Sequence, residues 1–458
     1  MRALWVTVIG AVVGCTDPHH ATNTLVSVEP ESAGDNCEFG GVALHQGVDG
    51  DRSGVLDEDE IMQTDYVCNA PTELECDDTG RQLTGIVTVS TQAELDDLTT
   101  VRCIDGDLII SGIAPSAIPA SELETVTGTV VVAGNETLTS LDGLANLKKV
   151  GRNYAVQAND ELVELAALAN LERVGAVLIV GNSSLVDLAG LSPMVKLPSL
   201  TVTNNPALVS LHGLENGLTA DQITVKANPQ LTSITALGEL RSAVQIDISG
   251  NAILTDITLS NLQKNDFGLG ISSNPSLVAV SLPMLATTNG LALHSNGALI
   301  SIDAPSLRLT GAMSVIAAPL LTTFHAPQLK FITLDLVVAA CPELVSFDVG
   351  SLTAVGATLR VQSNPRLDMS GFHSLTSVGV DFIVEGSGTV DFAGFGNLSA
   401  VSGNMKLSEN AELTSLSGMT GMSTIEGNLT ITSNPDLPLS EAQAFANQVT
   451  VKGTVTLN

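Results

Sequence analysis

Aromatic side chains are scarce: one Trp, two Tyr and ten Phe serve 458 residues. Binding sites that stack sugars or bases on rings need aromatic platforms, so sugar binding is disfavoured. Positive charge is also short, since 18 Lys and Arg stand against 49 Asp and Glu for a formal charge of -31. Nucleic acids are held by neutralising phosphates with cations, and such a chain is not built for that. Beyond the first residues no run approaches the roughly 18 apolar residues that cross a bilayer as a helix. No P-loop, dinucleotide fingerprint or Ser/His/Asp spacing is present, and the chain is read as a non-enzyme without a small-molecule cofactor.

Residues 1–14, MRALWVTVIGAVVG, place one Arg before an apolar run that ends in small residues at Cys15. This has the form of an export signal, too short to span a membrane. Val12-Val13-Gly14-Cys15 resembles the bacterial lipobox, in which the Cys is acylated and becomes the new N-terminus. The resemblance implies that Cys15 is a lipid anchor, with the membrane reached by acyl chains alone. Thr16 after it favours the outer membrane by the same resemblance. Residues 15–36 then read as a lipidated tether. With Cys15 assigned to lipid and Cys341 to a repeat position, Cys37, Cys68, Cys76 and Cys103 remain, in an exported setting where disulfides persist. Of three connectivities, Cys37–Cys68 with Cys76–Cys103 is favoured, because it brackets one small module and the first coils separately.

Within residues 37–68, the string DGDRSGVLDEDE matches the twelve-residue calcium loop of an EF-hand at each ligand position. Asp49, Asp51 and Ser53 are the expected side-chain ligands at positions 1, 3 and 5, with Gly54 at the sharp turn. Val55 offers its carbonyl, Asp57 sits at position 9, and Glu60 closes the shell with two oxygens. The flanks depart from the pattern: Phe39-Gly40-Gly41 and Gly47 leave no entering helix, and only Asp57–Gln63 looks helical. The unit resembles a small Cys-bracketed module found near the N-termini of bacterial surface lipoproteins. Calcium is therefore the expected cofactor.

From Asn135 a repeat of about 23 residues is marked by one Asn each: 135, 159, 182, 205, 228, 251, 274, 296, 364, 410 and 434, with Ala318, Cys341 and Ser387 filling the intervening steps. A fixed period of this length signals a solenoid. Five and three residues before the mark lie apolar pairs such as Leu200 and Val202, Ile223 and Val225, or Ile246 and Ile248, the alternation of a strand with one buried face. Three and six residues after it come Leu185 and Leu188 or Leu208 and Leu211, a second apolar set that flattens the tube. Stacked Asn amides satisfy backbone groups at a buried corner. The expected fold is all-β, a parallel β-solenoid over residues 76–458. Strings such as GNLTITSNPDLPL resemble receptor L-domain repeats, which implies this fold and surface recognition. Thr91-Gln92-Ala93-Glu94 has the capping-box pattern of a short helix, and Ser440–Val449 reads as a C-terminal helical cap.

Glu164 and Asp187, both five residues after a mark, form the best acidic stack, but no base accompanies them and a solvated face is the expectation. His212, His294, His325 and His373 fall at different coil positions and make no metal set. His294 is expected to be plain surface. The outward strip Thr201, Thr203, Thr224, Lys226, Asp247, Ser249, Gly270 and Ser272 is small and polar, turning apolar at Val131, Ala133, Leu178 and Val180 and again at Val337 and Ala339. The expected function is a cell-surface lipoprotein acting in recognition or adhesion, with a protein ligand on the solenoid. A passive envelope spacer and a β-helix carbohydrate enzyme are the alternatives.

Overall fold

The computed structural model describes residues 24–31, 41–48, 58, 61–68, 74–77, 79–192, 196–216 and 219–458. These belong to two compact units, Met1–Leu74 and Glu75–Asn458. The first unit is an antiparallel meander of β1 (Thr24–Glu31), β2 (Gly41–Val48) and β3 (Ile61–Cys68). β1 pairs with β2 from Thr24↔Val48 to Glu31↔Gly41, and β2 with β3 from Gly41↔Cys68 to Gly47↔Ile61. Two expectations are corrected here. The stretch read as a tether contains a paired strand, which includes the alternating Val26-Ser27-Val28. Ile61–Gln63, read as helical, opens a strand.

The second unit begins with β4 (Arg81–Val89), α1 (Gln92–Leu98) and β5 (Val101–Ser111). α1 has the expected capping box: Thr91 Oγ1 accepts from Glu94 N, and the Glu94 carboxylate accepts from Thr91 N. From β4 to Val455–Leu457, 25 strand segments among the described residues join one long parallel sheet, each coil returning in register on the last. Leu200↔Ile223 and Val202↔Val225 continue to Ile246 and Ile248, all at most 1% exposed. The β-solenoid inferred from the repeat is thus the fold.

Each mark ends a strand at a left-handed corner. The residue before it has positive φ whether or not it is Gly: Ala158 (49°), Asn204 (58°), Ala227 (52°), Ser273 (56°) and Glu409 (60°) share this corner with Gly134, Gly181, Gly250 and Gly386. Reversing the chain there points the next amide along the solenoid axis, and the ladder Asn receives it. Asn205 N donates to Asn228 Oδ1 at 3.0 Å, and Asn228 N to Asn251 Oδ1 at 3.1 Å. The same Asn reaches backward, Asn228 Nδ2 donating to Val202 O at 3.0 Å. Cys341 N and Ser387 N donate to Asn364 and Asn410 in the same way. Asn458 stands outside this column: its Oδ1 accepts from Ser433 N.

The second apolar set of each coil takes two forms. Between Asp256 and Asp348 it is a five-stranded parallel sheet, with Ile257, Val280, Ile302, Phe324 and Phe347 inward. In other coils it is a 3-10 turn, as at Asp142–Leu144, Ala166–Asn170, Ala189–Leu191 and Met369–Phe372. The reason is spacing: Leu165, Leu168 and Leu171 recur every three residues, the 3-10 period, whereas Ile257 and Leu259 alternate. Gly190 marks the tighter form, since a Cβ there would lie 1.7 Å from Leu165 O of the coil before. Phe324, Phe347, Phe372 and Phe395 stack from coil to coil, with ring centroids 4.4, 5.7 and 5.1 Å apart. The expected late helix forms as α2 (Leu439–Gln448), yet it is not the last element, because Thr450–Val451 and Val455–Leu457 rejoin the long sheet after it.

Candidate recognition surface

With the inward positions filled by Leu, Ile and Val, the alternate side chains of the long sheet must face outward, one row per coil. Thr201, Thr224, Asp247 and Gly270 pair in one column, and Thr203, Lys226, Ser249 and Ser272 in the next. Both columns are half-buried by their neighbours. Lys226 Nζ lies 2.6 Å from Asp247 Oδ2 on the following coil, so the one charged pair of this strip is internally neutralised. Apolar side chains close the strip at either end, with Val131, Ala133, Leu178 and Val180 at one and Val337 and Ala339 at the other, all half-buried. The result is a flat surface of small hydroxyls between two aliphatic patches.

His294 corrects its expectation. It lies in the outward column after Ser272, but it is half-buried, and its Nε2 is 2.6 Å from Ser314 Oγ. Burial holds its pKa below the ordinary histidine value. The acidic stack on the second face also has company that spacing did not reveal. Asp187 Oδ1 accepts from Ala189 N, and the next coil brings His212, whose Nδ1 is 2.8 Å from Glu215 Oε1. The hydrogen bond to Glu215 raises the His212 pKa, helped by the charges of Glu215 and Asp187. His325 Nδ1 lies 2.9 Å from Asp348 Oδ2. Among the described residues no three His, Cys, Asp or Glu side chains converge as a metal site.

Cys76 and Cys103 form a disulfide with Cα atoms 5.7 Å apart, fastening the start of the solenoid to β5. Cys341 is a buried free thiol, its pKa pushed up to about 11 by burial. Cys15, Cys37 and the six calcium-loop residues, Asp49, Asp51, Ser53, Val55, Asp57 and Glu60, lie outside the described residues. The strands on either side bear on the loop: β2 ends at Val48 and β3 begins at Ile61, so the twelve residues join paired antiparallel strands rather than two helices.

Two further ladders escaped the sequence reading. At the corner opposite the marked Asn column, Asn146, Asn170, Asn216, Asn261 and Asn397 donate through Nδ2 to Ser121, Ala145, Ser192, Gly238 and His373 carbonyls of the preceding coil, at 2.7–3.0 Å. The recurring Asn-Leu pair, as in Asn146-Leu147 and Asn397-Leu398, was their signal. Near the C-terminal end Asp381, Asn404 and Asn428 accept from Asn404, Asn428 and Thr454 N–H groups on the outer edge.

Residues 23–68 match a family model described as a domain of unknown function (DUF7151), which takes in all three strands of the first unit. A search of curated proteins returns no match. Among solved structures, the crystal structure of a TLR13–ssRNA13 complex is similar at 11% identity and a TM-score of 0.22, over 81% of this chain and 78% of that one. The solenoid assignment stands on the strand pairing given above.

Proposed function

We propose that this chain is a cell-surface recognition or adhesion protein. It is lipid-anchored through Cys15 to a bacterial envelope, at the outer membrane, and binds a protein ligand on the outward face of its long sheet. The observation that carries the reading is that face: small polar side chains in straight columns, ended by the aliphatic patches at Leu178 and Val180 and at Val337 and Ala339. Each aliphatic patch, bordered by the polar strip, offers an apolar contact beside polar groups, the combination found in protein interfaces. Photo-crosslinking amino acids at Val180, Thr203 and Val337, introduced into the full chain on its native cells, test it. Discrete adducts from these positions, absent from Thr235 and Ser281 on the second face, are expected. Equal yields from both faces, or none, would favour the passive spacer.

The first unit in this reading is a calcium-dependent module, with Asp49, Asp51, Ser53, Val55, Asp57 and Glu60 as the shell. Support comes from the spacing of oxygen donors, which suits a hard cation taking six to eight oxygens. Glu60→Gln removes half of a bidentate ligand, so it should weaken calcium binding far more than Glu58→Gln, which changes no ligand position. Isothermal titration that finds the two variants alike would show an acidic turn instead. The anchor is checked by palmitate incorporation, which Cys15→Ser should abolish.

A further inference from the structure

Six of the chain's 18 cations fall in one row. Lys149, Lys196, Arg241, Lys264, Arg308 and Lys330 all occupy the exposed corner where successive coils enter the long sheet. The register fixes the alignment: Lys149 bridges Arg173, Lys196 pairs with Thr219, and Lys264 pairs with Ser242 and Thr287. One position earlier, Arg241 O accepts from Gln263 N and Arg308 O from Lys330 N. Eight coil steps at about 4.8 Å separate the first cation from the last, a ridge of roughly 40 Å.

Carboxylates outnumber cations more than twofold in this chain, so surface cations should find ion-pair partners easily. Arg102 and Lys148 do, because Glu124 sits 3.2 Å from the one and 3.6 Å from the other. Lys264 reaches Asp266 at 2.5 Å. Among the described residues, Lys149, Lys196, Arg241, Arg308 and Lys330 have no carboxylate within ion-pair distance. Asp77 is near enough to Lys149 to act on it electrostatically, and Glu124, Glu172 and Glu239 lie one or two positions from the ridge in the coil pattern. Beside Arg308 and Lys330, Leu309 and Phe331 stand 39% and 48% exposed, which adds an apolar contact to that end.

We propose that this ridge binds a linear anionic polysaccharide laid along the solenoid axis, with its carboxylate or sulfate groups meeting successive cations. The row is one cation wide, which fits a single chain and not a duplex. Single-stranded nucleic acid needs rings on which to stack its bases, and Phe331 is the one aromatic side chain among the ridge positions named. An extended acidic peptide turns alternate side chains to opposite sides, whereas one sugar unit per coil presents a charge to every coil that carries a cation and passes those entering at Thr219 and Thr287. Charge recognition does not need the aromatic platforms whose scarcity disfavours neutral sugars. The ridge is a corner of the solenoid and leaves the sheet face to a protein, so this inference does not depend on the protein-binding reading.

The test is calorimetric titration of the full chain with polygalacturonate in the presence of chelator, at about 20 and about 200 mM salt. Binding is expected at low salt and should weaken at least about tenfold at high salt, as screening predicts. The triple variant Lys196→Glu, Arg241→Glu, Lys264→Glu should lose at least about tenfold, and its Gln counterpart less. A control triple with the same charge change away from the ridge, Arg360→Glu, Arg366→Glu, Lys452→Glu, should lose much less; circular dichroism confirms that each variant is folded. No binding at low salt, equal loss in ridge and control triples, or equally tight binding of oligothymidylate or polyglutamate would each overturn the proposal.

Discussion

Replacing Asn228 by Ala removes one rung from the middle of the ladder, and the hydrogen bonds give the size of the effect. Asn228 is fully buried. Its Oδ1 accepts from Asn205 N at 3.0 Å and from Asn205 Nδ2 at 3.2 Å, while its Nδ2 donates to Val202 O at 3.0 Å. Asn205 Nδ2 keeps Ile179 O and Thr203 O as acceptors, so it is not orphaned. Asn205 N and Val202 O each lose a partner. At about 1–3 kcal/mol for each buried group left unmatched, Asn228→Ala should cost about 2–6 kcal/mol. Ala318 supplies the reverse experiment, because it offers no side-chain acceptor to Asn296 N and is itself 1% exposed. Ala318→Asn should therefore stabilise by about 1 kcal/mol. Urea unfolding followed by circular dichroism measures both, with the exposed Gln230→Ala as control and the slope checked for constancy. An Asn228→Ala shift no larger than the control, or a loss of stability in Ala318→Asn equal to that in Asn228→Ala, would refute the ladder as a source of stability.

Three further outcomes are expected. Ala227, at φ 52°, occupies the left-handed corner at a steric cost that Gly does not meet; Ala227→Gly should raise the urea midpoint by about 0.5–1 kcal/mol equivalent, and a fall would show that the corner is not strained. The Cys76–Cys103 bridge closes a 27-residue separation, worth about 3.5 kcal/mol by loop entropy; the Cys76→Ala, Cys103→Ala variant should lose amide protection in β4 and β5 first, and unchanged hydrogen exchange there would contradict this. His294 has a depressed pKa in the fold, so the unfolded chain binds more protons near pH 6 and stability should fall as pH drops through the ordinary histidine value near 6.5. His294→Gln should flatten that slope between about pH 7.5 and 5, whereas an unchanged profile would place the proton elsewhere.

How much of this was legible follows from which interactions repeat at a fixed spacing. The ladder Asn, the inward pairs such as Ile246 and Ile248, and the capping box at Thr91 each need a particular residue at a particular step, and the sequence displays them. The 3-10 turns were missed because residues three and six after the mark are apolar in both forms of the second face. Only the next apolar position, Leu191 after Leu188 or Leu259 after Ile257, separates the two. His294 was misjudged because an outward position was equated with exposure, although Ser314 on the following coil partly covers it. The basic corner was hidden by net charge, which sums over faces that the solenoid keeps apart. In the first unit, Pro30 and the Gly residues around position 40 concealed strands whose pairing is non-local.

The central claim is that successive coils lie parallel and in register, and engineered disulfides test it directly. Thr201 and Thr224 are register partners, which at a strand spacing of about 4.8 Å falls inside the Cα range for a disulfide. Thr201→Cys with Thr224→Cys should oxidise readily in the folded protein. Thr201→Cys with Val225→Cys, whose second thiol points into the core, and Thr201→Cys with Asp247→Cys, two coils away, should not. Closure of the first pair alone is the predicted result; efficient closure of either of the others, or failure of the first, would contradict the parallel in-register solenoid.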